Sequence, residues 1–132
     1  YQIQAAISAL HADAARADET DWPQILAWYD ELLALTDDPL RKDPAAVLGR
    51  AVAVGHALDA RAGLREVERL RDVIGDRHRW HAVRGYLLQL DGDPSAAADA
   101  YAEAARRATV AAERDHLIRA AATARSSANA SQ

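Results

Sequence analysis

Histidines are the side chains of this sequence best suited to metal binding, and two of them have a usable spacing. His78 and His81 are three residues apart, so on a helix both rings would lie on one face. No HExxH motif accompanies them, no third ligand can be assigned, and the chain contains no cysteine. We therefore expect no metal site, and we interpret the histidines as surface or helix-end residues. His11, next to Leu10, is expected to be half-buried and hydrogen-bonded.

Carboxylates are abundant, but their positions predict caps and surface charge instead of acid–base chemistry. Asp21, Asp43 and Asp93 each precede a proline by one or two residues, which is typical of a helix N-cap. Asp30 and Glu31 lie in the middle of a predicted helix, with no cleft to hold a paired-carboxylate mechanism.

Motifs for covalent or phosphoryl chemistry are also missing from the sequence. It contains no glycine-rich phosphate loop, no GxSxG elbow and no kinase signature. Only Ser8 and Ser95 precede residue 126, which disfavours a serine triad. We expect neither an enzyme nor a bound cofactor.

Composition points to an all-α fold. Of the 132 residues, 33 are Ala, 26 are Ile, Leu or Val, and Phe and Met are absent. Ala has the highest helix propensity and is a poor strand former, so an all-β domain is excluded. The absence of cysteine and of a secretory signal fits a cytoplasmic protein, and no apolar run is long enough to cross a membrane. Since the chain begins at Tyr1 and contains no Met, we expect it to be part of a longer protein.

Charge is distributed unevenly along the chain. The net charge is −4, and residues 13–43 carry nine acidic against three basic side chains. Nucleic-acid binding needs clustered Lys and Arg to neutralise phosphates. Direct binding of DNA or RNA is therefore not expected.

Helical periodicity and cap signals predict about seven antiparallel helices joined by short loops in one domain, 1–125, followed by a disordered tail, 126–132. The predicted segments are about 2–18, 20–37, 43–58, 63–75, 80–90, 93–108 and 109–125. Successive helices would form stacked hairpins. Residues 81–104 match the small and large positions of a tetratricopeptide unit, with Gly85, Ala97, Tyr101 and Ala104 at the matching sites.

Aromatic residues supply the clearest clue to function. Trp22 and Tyr29 share the predicted apolar face of their helix and are interpreted as structural anchors, together with Trp80 and Tyr101. Trp28 points away from that face, either into a protein contact or onto a neighbouring hairpin. Residues proposed for protein interaction lie in the acidic half, where Arg50 would pair with Asp30 or with a partner: Asp18, Glu19, Asp21, Trp28, Asp30, Glu31 and Arg50.

Several short stretches carry a family resemblance. Residues 1–7 (YQIQAAI) with His11, residues 20–25 (TDWPQI) and residues 50–53 (RAVA) resemble the tetratricopeptide-like C-terminal extension of bacterial extracytoplasmic-function RNA polymerase sigma factors. The likeness covers nearly the whole chain and is most specific in its first 30 residues. Gly49 stands where that family commonly has Asn, and Asp59-Ala60 replaces a usual glycine.

This resemblance implies a regulatory role in transcription initiation. In that family the N-terminal part of the protein binds core polymerase and reads the promoter, and the extension regulates or supports that activity. The implied partners are the protein's own sigma-factor domains or RNA polymerase, with DNA contacted only through the N-terminal part. The alternative is a stand-alone tetratricopeptide-type scaffold that binds a peptide or protein.

Overall fold

The structure, a computed structural model, describes residues 20–130. Within this range every regular element is an α-helix and there is no strand, which confirms the all-α prediction. The predicted helix 2–18, which includes His11 and Asp18, lies outside the described residues, and so does Glu19. The helices are α1 (Trp22–Ala34), α2 (Pro39–Lys42), α3 (Pro44–Ala57), α4 (Ala60–Arg69), α5 (Arg71–Ile74), α6 (His78–Leu90), α7 (Pro94–Arg107) and α8 (Ala111–Ala130).

Three aspartates begin helices as predicted. The carboxylate of Asp21 accepts the backbone N–H of Gln24 at 3.2 Å and so caps α1. Asp43 and Asp93 cap α3 and α7 in the same way. In all three helices a proline occupies one of the first two positions, where its missing N–H removes no helical hydrogen bond.

The region after α3 differs from the prediction, which placed the next helix start after Gly63. The carboxylate of Asp59 accepts the N–H of Ala62 at 2.7 Å, and this cap starts α4 at Ala60. The predicted single helix to residue 75 is divided, because the chain turns at Leu70 before α5. A further short helix, α2, begins at Pro39, after a residue, Asp38, with a left-handed φ of 53°.

The C-terminal boundary also differs from the prediction. Helix α8 continues to Ala130, so residues 126–130 are helical and do not form the predicted disordered tail. Ala124 is buried, and Arg125 donates to the carboxylate of Asp99 on α7 at 2.7 Å. These contacts hold the last turns of α8 on α7, and the high helix propensity of Ala continues the helix beyond them.

The helices pack in an order that follows the chain. Helix α1 packs on α3, α3 packs on α4, and both α3 and α4 contact α6. The most extensive contacts are those of α6 with α7 and of α7 with α8. Consecutive long helices are therefore spatial neighbours, and α1 and α8 lie at opposite ends of this order within the described residues.

The core consists of three clusters of buried side chains. One joins α1 to α3, one joins α3, α4 and α5 to α6, and one joins α6, α7 and α8. The half-buried Tyr86 packs against all three clusters. Tyr86 thus connects the clusters through one side chain near the middle of the packing order.

The turn between α6 and α7 requires glycine. Gly92 has a left-handed φ of 81°, and the N–H of Asp93 reaches back to the carbonyl of Leu88 at 2.9 Å. This ending directs α7 back along α6. A Cβ at Gly85 would lie 3.1 Å from the Tyr101 ring, so the small residue admits the ring between the helices.

Candidate interaction surface

Helix α1 divides its side chains between the core and the exposed side. Trp22, Ile25 and Tyr29 are buried against α3, as their spacing predicts. On the other side Trp28 is 37% exposed and Leu35, the residue that caps the helix, is 88% exposed. Glu31 lies between them and is exposed. We call Trp28, Glu31 and Leu35 the outer face of α1.

Two other acidic residues proposed for interaction, Asp21 and Asp30, have structural partners. Asp21 is the α1 cap described above. Asp30 accepts a 2.7 Å hydrogen bond from Nε of Arg50 on α3. The carboxylate of Glu31, by contrast, forms no hydrogen bond or ion pair with the described part of the chain. Of these three carboxylates, only that of Glu31 is therefore open to a partner outside the described part of the chain.

Arg50 joins three helices. Besides Asp30 on α1, its guanidinium lies 3.8 Å from a carboxylate oxygen of Glu66 on α4. Glu66 also pairs with Arg69 at 3.1 Å, one turn along α4. Of the two roles considered for Arg50, pairing with Asp30 is the one observed, and it fixes the position of α1 relative to the α3–α4 hairpin.

A second ion network joins α4, α5 and α6 beside Trp80. Glu68 on α4 accepts hydrogen bonds from Arg71 and from Arg84 of α6, both at 3.0 Å. The hydrogen bond from Arg71 is the main cause that lowers the pKa of Glu68 below its usual value. The guanidinium of Arg71 lies 4.6 Å from the centre of the Trp80 ring, within cation–π range. Sequence reasoning missed this network, although the spacing of Glu68 and Arg71 was a signal for it.

The four predicted anchors are all buried. Trp80 is fully enclosed, and its indole N–H donates to the carbonyl of Val67 at 2.9 Å. Burial raises the pKa of Tyr101 to about 12, with a further contribution from Tyr86. Burial, and secondarily the charge of Asp43, also raises the pKa of Tyr29.

Gly49 is explained by its contact with Tyr29. A Cβ at position 49 would collide with the Tyr29 hydroxyl. The Asn common at this position in the family that the sequence resembles would not fit against Tyr29 as it lies here. The side chain of Asp59, which departs from the same pattern, is used instead as the α4 cap.

Three histidines of the described range, His56, His78 and His81, have individual partners and do not converge on a common point. His78 and Glu113 of α8 are 2.7 Å apart through Nε2 and Oε1, and His81 lies 2.8 Å from the carbonyl of Gly75. Burial lowers the pKa of His81. His56, expected at the surface or at a helix end, lies in the last turn of α3 and is half-buried: its ring stacks on Trp22 at 3.9 Å and lies 2.7 Å from the Tyr86 hydroxyl. Over residues 20–130, no three metal-ligating side chains come together.

Comparison with curated proteins finds a relative. A protein of Rhizobium meliloti (strain 1021), described as uncharacterized, is 38% identical over 117 residues, which are 89% of this chain and 26% of the relative. The chain therefore spans about a quarter of the length of that relative. No family model and no solved structure matches the chain. None of the described helices is long and apolar enough to cross a membrane.

Proposed function

We propose that this chain is the regulatory, protein-interaction domain of an alternative bacterial sigma factor, a cytoplasmic protein, and that it modulates promoter-dependent transcription initiation. The residues of TDWPQI and RAVA support this through their likeness to the extracytoplasmic-function group. The match covers only about a quarter of the length of the Rhizobium relative. This is what we expect if the chain is a module attached to other domains.

We also propose that the helices form a tetratricopeptide-like stack. The α6–α7 hairpin carries the small and large residues of such a unit, with Gly85 against Tyr101. In the preceding hairpin Gly63 of α4 approaches the backbone of Ala51 on α3. Ala51 precedes Gly85 by 34 residues, and Gly63 precedes Ala97 by the same number. This spacing equals the period of roughly 34 residues typical of that repeat class.

The observation that carries the functional proposal is the outer face of α1. It presents a half-exposed indole and an unpaired carboxylate, and the cap of Asp21 and the bond of Asp30 to Arg50 hold the helix that bears them. Promoter-reading domains are basic, because they meet DNA phosphates. A basic segment of the same protein, or of polymerase, would find Glu31 as a charge partner and Trp28 as an apolar anchor.

A run-off transcription assay tests this proposal. The samples are the full-length factor, the factor without residues 1–132, and full-length Glu31→Lys. We expect the deletion to change the transcript yield and Glu31→Lys to reproduce part of that change. Asp72→Lys is the matched control, since Asp72 is an exposed carboxylate on α5, away from α1.

Equal transcript yields from all samples would contradict the regulatory role. That result would favour the alternative, a stand-alone scaffold for a peptide or protein partner. Circular dichroism of the substituted proteins checks that the helix content is unchanged, so that a loss of yield is not a loss of folding.

A further inference from the structure

The last described helix also carries apolar side chains on its exposed side. Val110, just before α8, is 56% exposed, and Ile118 on α8 is 52% exposed. Arg114 lies four residues from each of them, along one ridge of the helix, and is exposed. We call Val110, Arg114 and Ile118 the outer face of α8.

Arg114 retains donors for a further partner. One of its terminal nitrogens donates to the carbonyl of Ala108 at 3.1 Å, which fixes the side chain beside α8. A guanidinium has five N–H donors, so the others remain for a carboxylate. Two more charged residues, Asp115 and Arg119, are exposed on the same helix, and the three together carry a net charge of +1.

The outer faces of α1 and α8 are complementary in charge and spacing. On α1 the apolar residues Trp28 and Leu35 are seven residues apart, about 10 Å along a helix, with Glu31 between them. On α8 the apolar residues are eight residues apart, about 12 Å, with Arg114 between them. If the outer face of α1 packed in register on the outer face of α8, Glu31 would therefore meet Arg114, and the apolar residues would meet on either side of that ion pair.

We infer that the outer face of α8 of one copy of this chain packs on the outer face of α1 of a second copy. The two faces lie at opposite ends of the packing order, so one molecule presents both to its neighbours. Pairing α1 with α1 would oppose Glu31 to Glu31, and pairing α8 with α8 would oppose Arg114 to Arg114. Like-charge contacts of this kind disfavour symmetric pairing, which leaves the head-to-tail arrangement.

This association has two consequences. It is heterologous, so the assembly keeps a free α1 face at one end and a free α8 face at the other. Growth therefore does not stop at a dimer. It also covers the surface that the proposed function assigns to a basic partner, so self-association competes with that partner. Because only a few residues contribute on each side, the interface belongs to the small, transient class.

Sedimentation velocity of the 132-residue chain, from about 10 µM to about 1 mM, tests the inference. We expect the weight-average sedimentation coefficient to rise with concentration. Glu31→Arg and Arg114→Glu should each lower the association constant at least about tenfold. Ile118→Lys, which leaves the bond of Arg114 to Ala108 in place, should weaken association as well.

Mixing the two charge-reversed chains gives the decisive result. Glu31→Arg makes both outer faces basic, and Arg114→Glu makes both acidic, so each variant alone should associate at least about tenfold more weakly, whereas an equimolar mixture should recover association. As a control for net charge, the double variant Arg114→Glu/Asp72→Arg mixed with Arg114→Glu should not recover association, because both chains then present only acidic outer faces. Recovery in that control would show that overall charge, not the two faces, drives association, and would overturn the inference.

Two other results would also overturn it. One is a monomer at every concentration, and the other is association that Glu31→Arg leaves unchanged. Neither affects the proposed function, which the transcription assay measures separately. A monomeric chain that still alters transcript yield would refute self-association alone.

Discussion

The hairpins α3–α4 and α6–α7 achieve close helix packing in different ways. In α3–α4 the backbones themselves approach: a Cβ at Gly63 would lie 2.8 Å from the carbonyl oxygen of Ala51. In α6–α7 the space beside Gly85 is filled by the ring of Tyr101, and the remaining contacts are made largely by alanines. The first hairpin therefore has little freedom to adjust, whereas the second can shift a side chain.

The space around the two hairpins is filled differently as well. Trp80 of α6 belongs to the cluster that joins α6 to α3, α4 and α5, and it is completely enclosed. Tyr101 belongs to the cluster of α6, α7 and α8. Its hydroxyl reaches Gln89 at 3.3 Å, a longer hydrogen bond than that of the Trp80 indole. Trp80 is thus the largest fully buried side chain where the first hairpin packs on α6.

The largest expected effect comes from removing that side chain. Trp80→Ala should lower the free energy of unfolding by about 3–5 kcal/mol, because it leaves a cavity and removes the hydrogen bond from the indole N–H to the carbonyl of Val67. Tyr101→Ala should cost less, since its ring lies among alanines of the more adaptable hairpin. Urea unfolding followed by far-UV circular dichroism measures both.

Trp28→Ala is the control for loss of an indole, because that side chain is 37% exposed. Its effect on unfolding should be small, below about 1 kcal/mol. A loss equal to that of Trp80→Ala would contradict the assignment of Trp28 to the outer face of α1.

An intermediate effect is expected from adding one methyl group to each hairpin. Gly63→Ala should destabilise by about 1–3 kcal/mol, since its Cβ meets backbone atoms of α3 that cannot move independently. Gly85→Ala meets only the Tyr101 ring at 3.1 Å, so a small ring shift and the higher helix propensity of Ala offset the crowding. Thermal unfolding of both variants gives the order. Equal losses would show that the two hairpins are equally rigid.

The smallest effect concerns pH and the ion pairs of the two hairpins. Arg71 and Arg84 lower the pKa of Glu68 from its usual 4.5 in the folded protein. The stabilisation is therefore present above about pH 4.5 and is lost as the pH falls through the lower, folded-state pKa. Since Glu68 is largely solvated, Glu68→Gln should cost below about 1 kcal/mol at pH 7 and nothing at low pH.

Glu103→Gln provides the comparison for that pH dependence. Hydrogen bonds from Arg106 and Arg107 also lower the pKa of Glu103, but all three residues lie on α7. Glu68 joins α4 to α5 and α6, so its replacement should loosen the contact between elements as well as a local helix turn. If Glu103→Gln changed the acid limb of the stability curve more than Glu68→Gln, the ion pairs within helices would be the stronger ones.

Helix starts that carry a local signal were the most predictable boundaries of the fold. The Asp-Pro pairs at 43–44 and 93–94 began helices as predicted, because an aspartate cap and an early proline act within one turn of chain. The start of α4 was missed because Asp59 has no proline after it, and its cap is recognised only from the bond to Ala62. The continuation of α8 to Ala130 was missed in part because Ala124 and Arg125 hold its last turns on α7, a contact between helices that local sequence does not reveal.

The candidate surface was predictable only in part. Helical spacing placed Trp22 and Tyr29 in the core and turned Trp28 outward. It did not distinguish Asp30 from Glu31, because the difference is a bond to Arg50, twenty residues away. Nor did it find the stacking of His56 on Trp22 or the position of Tyr86 among three clusters, which depend on helices far apart in the chain.

The sequence by itself determined that the protein is helical, where most helices begin, and which large side chains are buried. These properties follow from the helix propensity of Ala, from caps and from the 3.6-residue period, all of which act over a few residues. Only the tertiary structure decided which carboxylates remain unpaired and how close the helices approach. Those outcomes depend on residues 12 to 35 positions apart, such as Gly63 with Ala51 and His78 with Glu113, which are brought together by the packing of different helices.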